Sequence, residues 1–105
     1  MGTYAQGADS PSLEPDGQIV TADKTAFTEK CRALADEFPS RKNWQLGQPL
    51  LTESEKWGLV WRVDFIFSDA NSSHLVNRIV CWENPDGKIS IEIAIGQRLT
   101  PLIQG

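Results

Sequence analysis

The stretch K56-W-G-L-V-W-R-V-D-F-I-F-S68 decides how the rest of this chain is read. Its odd positions, Trp57, Leu59, Trp61, Val63, Phe65 and Phe67, are all apolar, whereas Gly58, Val60, Arg62, Asp64, Ile66 and Ser68 form a mixed set. Successive side chains of a strand point to opposite faces, so this alternation predicts a long central strand with one face in a core.

Toward the C-terminus, Asn84-Pro85-Asp86-Gly87 predicts a tight hairpin between strands His74 to Glu83 and Lys88 to Gly96. Proline suits the first central position of a type I turn, and glycine takes the left-handed residue that follows. Register follows from that turn: Asn84 opposite Lys88, Cys81 opposite Ile91, Ile79 opposite Ile93 and Val80 opposite Glu92. The isoleucines at 89, 91, 93 and 95 then share a face with Ile79 and Cys81. Extending the same logic across the turn at 68–73 places Val63 beside Ile79, Trp61 beside Cys81 and Asp64 opposite Arg78.

Toward the N-terminus, the polar run Thr52 to Lys56 turns the chain back to a strand at Trp44 to Leu51, weakened by Gly47 and Pro49. A proline cannot donate to a ladder, which places that strand at a sheet edge. Before it, Phe27, Cys31, Leu34 and Phe38 recur at helical spacing, with Thr21 or Asp23 as a cap and Pro39 as the stop. Residues 1–18 hold five glycines and prolines and little to bury, and read as a flexible arm. The expected architecture is therefore α+β: an arm at 1–18, then one domain at 19–105. In that domain one N-terminal helix packs on a four-stranded antiparallel meander of order 1-2-3-4, curled around the helix.

Composition bounds the function. The chain has 105 residues, 40% hydrophobic and 23% charged, with a net charge of −4. That balance argues against nucleic acid, because affinity for phosphates comes mostly from Lys and Arg. No apolar run of the ~18 residues a membrane span needs is present, and the start, with neither a basic nor an apolar block, does not read as a signal peptide. A cytoplasmic protein is the resulting expectation. Cys31 and Cys81 match no metal spacing, and read as two buried thiols in preference to a bond pinning helix to sheet. No phosphate loop, CxxC pair or HExxH motif occurs, so no cofactor and no metal is expected.

Shielding gives the main functional argument. Four strands make a face nearly 20 Å wide at about 4.8 Å spacing, and one helix covers about 10 to 12 Å of it. The remainder needs a curled sheet, a C-terminal segment folded back with Leu99, Leu102 and Ile103, or a second protein. The fourth strand, long, isoleucine-rich and without proline, is an edge that soluble proteins usually cover or pair.

On the second face, Val60, Arg62, Asp64, Arg78, Val80, Trp82 and Glu92 gather apolar, Trp and Arg side chains of the kind that anchor interfaces. These features predict a small non-enzymatic binding or accessory module acting through protein–protein contacts, as a homodimer or with a basic protein partner. The alternative is a small-molecule binder or small enzyme whose cavity, between helix and curled sheet, is lined by Trp57, Trp61, Phe65 and Glu83. His74, the one histidine, and the sequon Asn71-Ser72-Ser73 read as surface features. No catalytic residue is assigned.

Overall fold

The computed structural model describes residues 10–68 and 75–102, so His74 and the sequon lie outside the described residues, as do 1–9 of the expected arm and Ile103. The elements are β1 (Gln18–Ile19), α1 (Thr25–Asp36), a 3-10 turn (Arg41–Asn43), β2 (Trp44–Leu46), β3 (Leu50–Ser54), β4 (Gly58–Phe67), β5 (Val76–Glu83) and β6 (Ile89–Gln97). One helix and an antiparallel sheet make the chain α+β. The sheet has six strands in the order β1-β3-β4-β5-β6, with β2 also paired to β4, instead of a four-stranded meander.

Both departures from the expected meander have local causes. Gly47 and Pro49 do more than weaken the first predicted strand; they end it at Leu46, and a new strand starts at Leu50 and runs to Ser54, through residues expected to turn. β2 lies along the C-terminal half of β4, with Trp44 opposite Phe67, and β3 lies along its N-terminal half, from Leu50 opposite Arg62 to Ser54 opposite Gly58. Between them Gly47 donates its N–H to the Asp64 carbonyl at 2.8 Å. The sixth strand comes from the segment before the helix: β1 pairs with β3, Gln18 opposite Glu53, and Val20 donates to the Leu51 carbonyl at 2.9 Å. Gly17 enters that pairing at φ 78°, where a side chain would also collide with the Glu53 carbonyl.

The registers around the hairpins agree with the alternation. Trp61 faces Cys81, Val63 faces Ile79 and Asp64 faces Arg78; across the next pair, Cys81 faces Ile91, Ile79 faces Ile93 and Val80 faces Glu92. Asn84 donates to the Lys88 carbonyl at 2.7 Å, and Gly87, at φ 88°, donates back to Asn84 at 2.8 Å.

The first face holds the main core. Phe27, Cys31 and Ala35 of α1 meet Trp61, Val63, Phe65, Ile79 and Cys81, and Trp44 stacks on Phe65 at 4.4 Å. Leu34 and Phe38, expected in the buried stripe, are half-buried, and α1 starts after Lys24 with no side-chain cap. Cys31 and Cys81 are joined by a disulfide across this core, which replaces the reading of two free thiols. The bond follows from the register: Cys81 sits on the helix-facing side of β5, under the turn of α1 that carries Cys31. No helix of the described residues is long and apolar enough to cross a membrane.

The disulfide closes a loop with a sequence separation of 50. Cross-linking over such a span stabilises a small domain by about 2 to 4 kcal/mol, largely by restricting the unfolded chain. The double substitution Cys31→Ala with Cys81→Ala is expected to lower stability by that amount in urea unfolding followed by tryptophan fluorescence. An unchanged midpoint would show that the bond contributes nothing.

Candidate interaction surfaces

The second face of the sheet carries two arginines, Arg62 on β4 and Arg78 on β5, and both side chains are 0% exposed. A guanidinium always carries its charge and five donor hydrogens, so burial requires acceptors on every side. The Asp64 carboxylate, placed across the strand pair, accepts from Arg78 Nε at 2.6 Å and Nη2 at 3.1 Å. The remaining acceptors come from outside the sheet. Arg78 Nη1 donates to the Leu13 carbonyl at 2.9 Å and Nη2 to the Thr100 carbonyl at 2.6 Å. Arg62 donates to the Ser12 carbonyl from Nε at 3.2 Å and Nη2 at 2.8 Å, and from Nη1 to Thr52 Oγ1 at 2.9 Å.

Residues 10–18 of the segment read as a flexible arm therefore run across this face and on into β1. Pro11 is buried there, and Leu13 packs on the cluster of Val60, Val80 and Trp82. The C-terminal segment joins it on the same face, and not on the part of the first face left bare beside the helix, where it was one of the expected covers. Leu102 donates its N–H to Asp64 Oδ2 at 3.1 Å, and Thr100 donates to Glu14 Oε2 at 3.2 Å. Glu14 and Asp16 each lie 3.7 Å from a guanidinium. Burial lowers the Arg62 pKa; Asp16 opposes that shift, while Arg78 adds to it.

The residues expected to meet a partner are thus placed differently from one another. Val60, Arg62, Arg78 and Val80 are fully buried, and Trp82 is nearly so. These five are covered by the chain's own terminal segments, because the arginines draw backbone carbonyls over the valines. A partner reaching them would first have to displace residues 11–14. Asp64 is half-buried and Glu92 exposed.

The four residues of the alternative cavity do not face one space. Trp61 and Phe65 are closed into the first-face core, with the Arg32 guanidinium 5.9 Å over the Trp61 ring. Trp57 falls in the turn before β4, where Gly58 at φ 68° reverses the alternation, and it meets Trp82 edge-on at 6.1 Å on the second face. Glu83 is exposed at the end of β5.

The longest strand edge left unpaired among the described residues is that of β6. Among the described residues β6 pairs with β5 alone. Ile89, Ile91 and Ile93 are half-buried against the core, and Ile95 is 54% exposed. The opposite edge is the two-residue β1, short and exposed, with Val20 bonded to Leu51 beyond it. Comparison with protein family models, with curated proteins and with solved structures found no match.

Asp64→Ala leaves Arg78 buried without its bidentate partner, and a stability loss of about 3 kcal/mol is expected. The double change Asp64→Leu with Arg78→Met removes charge and counter-charge together, and is expected to cost less than the sum of the two single changes. Chemical denaturation of the wild type, Asp64→Leu, Arg78→Met and the double variant measures this, and additive losses would contradict it.

Proposed function

We propose that the chain is a small non-enzymatic binding or accessory module that works through protein–protein contacts, as a homodimer. The observation carrying this is the asymmetry of the sheet: the centre of its second face, around Arg62, Arg78, Val60 and Val80, is covered by the chain's own segments, while the nine-residue β6 pairs on one side only among the described residues. Proteins usually cover or pair a long apolar edge of this kind. The net charge of −4 suits a basic partner where a second protein binds, since opposite fields steer encounter.

The disulfide moves the expected compartment. Such bonds persist where the environment is oxidising and are rare in the cytosol. We place the working protein in an oxidising compartment, and not in the cytoplasm as composition suggested.

A second reading, a small-molecule binder, is favoured by one feature. An open depression of about 360 Å³ at the end of the sheet is lined by Leu46, Asp64, Phe65, Ile66, Val76 and Asn77, among others. It ranks below the first because the Asp64 carboxylate in it already accepts from Arg78 and Leu102.

Light scattering across a concentration series separates the readings. The homodimer predicts a mass near twice the chain's 11.7 kDa, falling toward 11.7 kDa on dilution. A constant mass of one chain up to high concentration would contradict the homodimer.

A further inference from the structure

The backbone groups of β6 alternate in direction along the strand. In an antiparallel ladder, residue pairs that exchange hydrogen bonds alternate with pairs that do not. Asn84 and Lys88 are a bonded pair, so the pairs Trp82 with Ser90, Val80 with Glu92 and Arg78 with Ala94 are bonded too. The backbone groups of Ser90, Glu92 and Ala94 are thereby turned toward β5, and those of Ile89, Ile91, Ile93 and Ile95 toward the outer side. Two bonds fit this phase. Gly96 donates its N–H inward to Asn77 Oδ1 at 2.9 Å, and the Ile95 carbonyl is met from outside by the chain's own Gln97 amide at 3.3 Å.

We propose that a second copy of this chain pairs its β6 antiparallel to that outer edge, about a two-fold axis through Ile93. The proposal rests on the homodimer reading and gives it a surface and a register. A two-fold between antiparallel strands stands perpendicular to the sheet, so both helices lie on the same side of one continuous sheet and like faces adjoin. Side-chain parity then allows only registers centred on a residue.

Charge and exposure choose among those registers. Centring on Glu92 sets two like carboxylates directly opposite, which destabilises a strand pair. Centring on Ile91 leaves the exposed Ile95 beyond the paired region. Centring on Ile93 sets Ile91 opposite the second copy's Ile95, and Glu92 opposite the second copy's Ala94. The isoleucine stripes then form one apolar band. Regular pairing ends where Gly96, at φ 68°, and the register shift beyond Arg78 bend the strand.

Three variants of the full chain, with Ile95→Thr as a folding control, test this by sedimentation velocity. Ile95→Pro removes an outward N–H and a side chain that is already 54% exposed, leaving the bonds to β5 intact. It is expected to weaken the dimer at least about tenfold, with thermal unfolding under monomeric conditions equal to that of Ile95→Thr, which keeps the N–H. Ala94→Glu sets a carboxylate opposite each copy's Glu92, and Ala94→Lys sets an ammonium there. The first is expected to weaken and the second to tighten the dimer, each about threefold to tenfold. A wild-type dimer indifferent to all three variants overturns the β6 pairing while leaving the homodimer reading in place. A dimer weakened by Ile95→Pro but equally affected by both Ala94 variants overturns the register. A wild-type monomer at every concentration overturns the homodimer and this pairing together.

Discussion

Two guanidinium groups with no exposure set the terms for this molecule. A cation sealed in a β-sheet needs its donors met, and the carbonyls within the sheet are committed to the ladder. Arg62 and Arg78 therefore take theirs from segments outside it: Ser12 and Leu13 on one side, Thr100 on the other. One carboxylate, Asp64, ties the arrangement together by bonding Arg78 and the Leu102 N–H at once. The same segments that satisfy the charges roof Val60, Val80 and Trp82, so electrostatic satisfaction and apolar burial have a common cause.

The two faces of the sheet are thus closed by different means. On the first, α1, the aromatic cluster around Trp44 and Phe65, and the Cys31–Cys81 bond fill the space. On the second, extended chain held by arginines takes the place a second helix layer would occupy. The short β1, with Val20 beyond it, forms one edge. What is left over is backbone: the outer side of β6, where the apolar stripe continues to an exposed Ile95. The association proposed above concerns that residue-level surplus, and the valine and arginine face plays a structural part.

The central strand, the two strands that follow it and their registers are legible because they depend on local rules. Period-2 alternation fixes faces, and the Asn84 to Gly87 turn fixes a phase that propagates without further information. The Asp64 and Arg78 pair was readable for the same reason. What the pairing meant was not. Whether an arginine on a strand is solvated or sealed depends on residues 50 and 65 positions away, and no period links Arg62 to Ser12 or Arg78 to Leu13. A strand face with two arginines among valines does carry a signal: it calls for acceptors, and an extended Pro-rich segment with free carbonyls can supply them. The disulfide was within reach as well. The predicted register put Cys81 on the helix-facing side, and only the axial position of Cys31 along the sheet was missing. Trp57 was misplaced because one glycine at positive φ shifts the alternation before the strand begins.

Sealing of the arginines by the segments around Ser12 and Thr100 is tested most directly by the Nε–H signals of the arginine side chains in a nitrogen-correlated NMR spectrum at neutral pH. Exposed groups such as those of Arg32 and Arg98 exchange with water quickly and should fade. Arg62 and Arg78, bonded through Nε to Ser12 and Asp64, should give sharp signals that persist. Loss of all arginine Nε–H signals together would mean that water reaches the second face, and that the terminal segments do not hold the position described.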